Sequence, residues 1–262
     1  MIGGGAAPKE LFMTQVYFIG AGPGDPDLIT VKGRDLVARA DLVLYAGSLV
    51  PPGVVACARP GARVEDSAPL TLEQTHALLM ETVRAGGLAV RVHTGDPSLY
   101  GAVAEQAALL DAEGVPWEIV PGVTAAFAAA ALAGVGFTVP GATQSLVITR
   151  VAGRTPVPEA EALRAFAARG CSLAIYLSAA LAGEVRRELL AGGLAPGTPV
   201  VAGHRVGWPD GAVLHTTVDG LAGAVAGRGW GGQVVFLVLP AQDRAGSPSR
   251  LYAPDFSHGR RG

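Results

Sequence analysis

"FIGAGPGDPDLIT", residues 18–30, follows "QVY" and packs three glycines and two prolines into positions 20–26. A β-rich run (15–20) that breaks into glycine and resumes as "TVKGRDLVARA" (30–40) has the pattern of a strand, a tight loop and a helix. Such a loop could cradle a phosphate, but this one departs from the dinucleotide fingerprint. Gly20, Gly22 and Gly24 are followed by Asp25-Pro26, so the third glycine of G-x-G-x-x-G is misplaced. No G-x-x-x-x-G-K-[ST] stretch occurs elsewhere, and Asp25 and Asp27 put negative charge where a pyrophosphate needs the opposite. The loop reads as tight, and not as a phosphate site.

Two more loops of this kind follow. "LAVRVHTG" (88–95) reads as a strand that ends in "TGDPSLYG" (94–101), and "WEIV" (117–120) as a strand that ends in "PGVTA" (121–125). Each leads into a predicted helix, 98–113 with Val103, Ala107 and Leu110 on one face, and the Ala-rich 123–133. With the strand "DLVLYAG" (41–47) and the helix 71–84, ended by Gly86-Gly87, the first half reads as a mainly parallel α/β unit. Open α/β sheets bind ligands at the carboxyl ends of their strands. All three loops fall there.

"GVGFTVPGAT" (134–143) interrupts the alternation. The expected organisation is a leader at 1–13, an N-terminal α/β domain at 14–136, a linker at 137–143, a C-terminal α/β domain at 144–240 and a polar tail at 241–262. The second domain reads as a mixed sheet, with strands at 145–150, 172–178, 198–206, 212–218 and 233–240. Helices are expected near 158–169, 179–192 and 219–227. "GWPDG" marks 198–218 as a hairpin.

Composition narrows the function classes. Half of the 262 residues are hydrophobic and the net charge is −2, which argues for a packed core and against a nucleic-acid partner. No apolar run is long enough for a transmembrane helix, and the start lacks a basic head and apolar stretch, so no secretory signal is expected. Cys57 and Cys171 stand apart without metal or redox spacing; a cytoplasmic protein with reduced thiols and no metal site is the expectation. Of 20 basic residues 18 are arginine, which first reflects a GC-rich coding sequence and secondarily suits carboxylate partners.

Taken together, "YFIGAGPGDPDLITVKG", "RVHTGDPSLYGA" and "VPGVTA" resemble, in order and spacing, the three signatures of the tetrapyrrole methyltransferase superfamily, and the resemblance runs across residues 15–240. It implies a two-domain α/β fold with the active site between domains, S-adenosylmethionine as cofactor with S-adenosylhomocysteine as product, and a homodimer. "TVPGATQSLVITR" (138–150), "LLAGGLAPGTPVV" (189–201) and "RVGWPDGAVLHTTV" (205–218) resemble the precorrin-4 or cobalt-precorrin-4 C11-methyltransferase branch of cobalamin biosynthesis. Gly211 stands where that branch often has an acidic residue. The alternatives are methylation of another tetrapyrrole position (uroporphyrinogen-III C-2/C-7, precorrin C-17 or C-20) and a non-enzymatic nucleotide-sensing module.

Carried over by resemblance, the cofactor contacts are Pro23, Thr94, Gly95, Asp96, Leu99, Thr124, Ala125, Leu177 and, in the region 202–204, Ala202 and His204. Asp96 is also the one catalytic candidate, although Asp96-Pro97 equally reads as a helix N-cap with proline at the first helical position, and Thr124 as a cap of the next helix. A corrinoid precursor carries many carboxylates, so arginine or histidine facing it would form charge-assisted hydrogen bonds. Arg150, His204 and Arg205 are the candidates, with Gln144 and Tyr100 as neutral donors. His93 reads as a packing residue of its strand, and Trp208 as a residue that folds its turn.

Overall fold

The computed structural model describes residues 15–242. The 1–13 leader, and the 241–262 tail beyond Gln242, lie outside the described residues. The chain divides into two compact units, one ending at Val123 and the other beginning at Thr124. That boundary precedes the linker expected at 137–143, because the Ala-rich helix packs with the second unit.

The first unit is a parallel sheet of β1 (Val16–Gly20), β2 (Leu42–Tyr45), β3 (Arg63–Asp66), β4 (Ala89–His93) and β5 (Trp117–Val120), in the order β3-β2-β4-β1-β5. Four helices join the strands: α1 (Val31–Arg39), α2 (Pro52–Val55), α3 (Leu72–Arg84) and α4 (Val103–Ala112). Alternate residues of β1 serve opposite faces. Val16 and Phe18 pack with Leu79, Met80 and Leu110 of α3 and α4. Ile19 packs with Leu36 and Val37 of α1 and Val54 of α2. Burial on both faces is what makes β1, β2 and β4 read as largely apolar runs. β3 and α2 are absent from the sequence reading. β3 is the edge strand "RVED", mostly exposed, and α2 is a single turn, so neither carries a hydrophobic period.

Local signals fix α3. Thr71 Oγ1 accepts from Gln74 N and Gln74 Oε1 accepts from Thr71 N, which closes a capping box, and Gly86 ends the helix at φ 77°. α4 is shorter than its expected 98–113. It starts at Val103, after a turn in which Tyr100 (φ 56°) and Ala102 (φ 49°) are both left-handed. Val103, Ala107 and Leu110 are its buried face, as the periodicity requires.

The second unit is a mixed sheet of β6 (Leu146–Arg150), β7 (Ser172–Tyr176), β8 (Pro199–His204), β9 (Ala212–Thr217) and β10 (Val234–Val238), ordered β6-β7-β10-β8-β9. Only β6 and β7 run parallel. Its helices are α5 (Ala125–Ala133), α6 (Leu163–Ala167), α7 (Ala182–Ala191) and α8 (Leu221–Ala226). Leu173, Ile175, Val185, Leu189, Leu221 and Phe236 form the core. α5 packs against β8, β9 and β10, and Gly203 allows it: a Cβ there would stand 2.8 Å from Ala129 Cβ. β8 and β9 form the expected hairpin. Gly211 closes its loop, since a Cβ would lie 2.4 Å from Arg205 O, so no acidic side chain fits at this position.

Candidate active site

The connection after β1 leads away to β2, while the one after β4 crosses β1 to reach β5, and α1 and α4 cover opposite faces. The ends of β1, β4 and β5 are therefore where a doubly wound sheet opens a crevice. The three glycine loops meet there through their backbones. Gly22 and Gly95 exchange two hydrogen bonds, at 3.2 and 2.8 Å, and Ala21 N donates to His93 O at 2.7 Å. A Cβ on Gly20 would stand 2.5 Å from Gly122 Cα, and one on Gly122 would stand 2.1 Å from Gly95 O. These glycines let the loops touch each other.

Asp96 locks the arrangement. Its Oδ2 accepts from Gly122 N at 2.9 Å, and its Oδ1 accepts from Ser98 N at 2.9 Å and pairs with the Ser98 hydroxyl. Burial opposes its charge, but the Ser98 hydroxyl and the backbone N–H groups of Gly122 and Ser98 outweigh it and hold the carboxyl below the usual range. The expected N-cap is thus corrected. The residue clamps the second loop to the third, and α4 begins only at Val103. Around it, Pro23 is buried, Leu99 half-buried, and Thr94 and Tyr100 exposed. The three loops carry Asp25, Asp27 and Asp96 and neither lysine nor arginine.

Thr124 and Ala125 open α5 in the second unit. Thr124 makes no side-chain cap; its hydroxyl pairs with the Tyr176 hydroxyl, which also accepts from Ala126 N at 2.8 Å. Tyr176 does the capping from across the sheet, a role no local signal in "AIYLS" announces. Leu177 follows it, 68% exposed and left-handed at φ 52°. Ala202 is fully buried in the core of the second unit, paired with Phe236 and Leu214, so its side chain offers no surface. His204 stacks on Trp230 at 4.8 Å and 11°, and burial lowers its pKa.

A family model described as tetrapyrrole (corrin/porphyrin) methylases matches residues 15–222. The chain belongs to this family. It is 46% identical, over 94% of this chain and 97% of the relative, to a cobalt-precorrin-4 C(11)-methyltransferase of Priestia megaterium. The X-ray structure of a cobalt-precorrin-4 methyltransferase, CbiF, superposes with a TM-score of 0.85 at 47% identity, covering 87% of this chain and 95% of the other. A uroporphyrin-III C-methyltransferase from Thermus thermophilus, in complex with S-adenosylhomocysteine, superposes with a TM-score of 0.70 at 30% identity, covering 86% and 97%.

In this methylase the remaining candidates are held by their own loops. Arg150 donates to Thr155 O (3.1 Å) and Pro156 O (2.7 Å), which braces the segment after β6. Gln144 Nε2 donates to Val139 O at 3.1 Å. Arg205 adopts φ 43°, lies 4.1 Å from the centroid of the Trp208 ring and reaches Asp210 at 3.0 Å. Trp208 N donates back to Arg205 O, so Trp208 folds the turn. No group of three or more His, Cys, Asp or Glu side chains among the described residues could hold a metal ion.

His93 is 6% exposed, and its Nε2 has no hydrogen-bond partner among the described residues. Burial, reinforced by the Arg91 charge, pushes its pKa down to about 3, so the ring is neutral at any pH where the enzyme would work and is no proton carrier. The unfolded chain binds a proton at this position below pH 6.5 and the folded chain does not, so this residue costs stability progressively as pH falls from 6.5 towards 3. Between pH 6.5 and 4.5 the loss from this residue is about 2 kcal/mol. Urea unfolding at both pH values should show His93→Leu losing that much less stability than the parent on acidification. Equal losses would mean that the imidazole titrates normally.

Proposed function

We propose that this methylase transfers the methyl group of S-adenosylmethionine to C11 of precorrin-4 or its cobalt complex in cobalamin biosynthesis. The observation that carries the reading is the likeness to cobalt-precorrin-4 methyltransferase, 47% identical through both units with a TM-score of 0.85. The charge of the loops supports the cofactor. A crevice edge with three carboxylates and no cation disfavours a pyrophosphate and suits a ligand that carries a sulfonium and an ammonium.

S-adenosylmethionine supplies a methyl group that is already activated on sulfur. The chain's task is then to hold both reactants in line. Pro23, Thr94, Gly95 and Leu99 of the first two loops would contact the cofactor, with Asp96 fixing their arrangement against Gly122. Thr124, Ala125, Leu177 and His204 are further cofactor contacts that the family resemblance implies. The acceptor carbon of a reduced tetrapyrrole is electron-rich, so no strong base is required, and the role of Asp96 is to position. Tyr100 and the half-exposed Arg205, whose bond to Asp210 is open to exchange with a ring carboxylate, are the substrate contacts we favour. A cytoplasmic homodimer completes the proposal, supported by Phe127 and Leu132, which leave apolar surface exposed on α5 for a second copy to cover. No helix among the described residues is long and apolar enough to cross a membrane.

The test is incubation with methyl-labelled S-adenosylmethionine and precorrin-4, with and without cobalt. Carbon NMR of the product locates the label. Label at C11 is the expected result, and label at another ring carbon would select the alternative position.

A further inference from the structure

Among the described residues of the first unit, the non-glycine residues with positive φ are Tyr100 and Ala102, left-handed on either side of Gly101 in the turn before α4. Non-glycine residues hold such a conformation only when their surroundings impose it. Gly101 is itself confined, because a Cβ would stand 2.3 Å from Pro97 O and 3.2 Å from His93 Nδ1. The sequence offers an easier route, a helix started at Asp96-Pro97, yet the chain delays α4 to Val103 and leaves the tyrosine 46% exposed.

What imposes the turn lies beneath it. Gln106, 7% exposed, donates from Nε2 to both Gly101 O (3.4 Å) and Ala102 O (3.2 Å), while its Oε1 accepts from Arg91 Nε at 3.3 Å. Arg91 Nη1 also donates to Leu44 O at 3.3 Å, at the end of β2. Asp66 adds its field to the Arg91 charge and accepts from Gly47 N at 2.8 Å. A chain of hydrogen bonds thus runs from Leu44 O in β2, through Arg91 and Gln106, to the two carbonyls that follow Tyr100. Both ends of the buried amide are satisfied, so the chain is rigid.

We infer that Gln106, oriented by Arg91, is a positioning residue for the tetrapyrrole, fixing the left-handed turn that presents Tyr100 to the ring. The inference rests on Tyr100 being a substrate contact. Gln106→Met keeps the volume and removes the bonds to both carbonyls. It is expected to raise KM for cobalt-precorrin-4 at least fivefold, with kcat and the affinity for S-adenosylhomocysteine each within twofold of the parent. A general loosening of the fold would move all three. Tyr100→Ala should raise the same KM, and the double variant should be no worse than Tyr100→Ala alone, because the glutamine acts through the tyrosine. Additive losses, or an unchanged KM in Gln106→Met, overturn the inference. An unchanged KM in Tyr100→Ala overturns the substrate reading of Tyr100 itself. Should Gln106→Met not fold, Arg91→Lys, which keeps the charge and loses the fork, must show the same split between KM and kcat; an unchanged KM there refutes the relay.

Discussion

Gly122→Ala is expected to lower affinity for S-adenosylhomocysteine at least a hundredfold, about 2.7 kcal/mol, and to lower the melting temperature as well. The added methyl would sit 2.1 Å from Gly95 O and 2.7 Å from Gly20 Cα. Both neighbours are backbone, anchored at the ends of β4 and β1, and neither can rotate aside. The third loop must therefore leave the other two, and Asp96 loses its Gly122 partner with it. Gly183→Ala is the control. That glycine lies inside α7 with nothing within 4 Å of a Cβ, so the same exchange should leave binding unchanged and slightly raise stability. Calorimetric titration of both variants decides; near-parental binding by Gly122→Ala would mean that the junction of the loops is not the cofactor site.

Asp96→Ala carries the second large effect. It frees Gly122 N and Ser98 N at once and removes the charge held between the loops. Hydrogen bonds to a charged group contribute roughly 1.5–3 kcal/mol each, so a loss of cofactor affinity of about tenfold to a hundredfold is expected, with a clear loss of stability. Asp96→Asn separates the roles. One amide oxygen can serve one loop but not both, and a helix cap would tolerate the exchange. The asparagine variant should therefore bind cofactor poorly while melting closer to the parent. Because the folded carboxyl titrates below its usual range, the clamp is intact from neutral pH down through the ordinary carboxylate pKa and is lost only as pH falls through its own depressed value. Parental binding by Asp96→Asn would return the residue to an ordinary turn.

Much of this architecture was legible in the sequence, because the strands buried on both faces announce themselves as apolar runs and the glycine loops mark their carboxyl ends. The failures have physical causes. Edge strand β3 is polar and so leaves no pattern. α5 is apolar on every side, so nothing local says which sheet it packs on. Asp96-Pro97 looks like a helix start; the turn that postpones α4 is held by Gln106, which lies just past the second glycine loop and carries no signal of that role in its own neighbourhood. Arg150 and Arg205 show the limit most plainly. Composition identifies arginine as a carboxylate partner, but only the folded chain reveals that Arg150 is bound to backbone carbonyls and Arg205 to Trp208 and Asp210. Tyr176, which caps α5 from a distant strand, has no signal in its own neighbourhood.

The central claim is that this methylase places a methyl group on C11 of a precorrin-4-type ring. The most direct measurement is single-turnover incubation with carbon-13-labelled S-adenosylmethionine and cobalt-precorrin-4 or precorrin-4, followed by mass spectrometry and carbon NMR of the ring. The account predicts a product heavier by one labelled methyl group, bonded to C11, with S-adenosylhomocysteine released in equal amount. Transfer to a different ring carbon, or an unaltered ring in the presence of tightly bound cofactor, would contradict it.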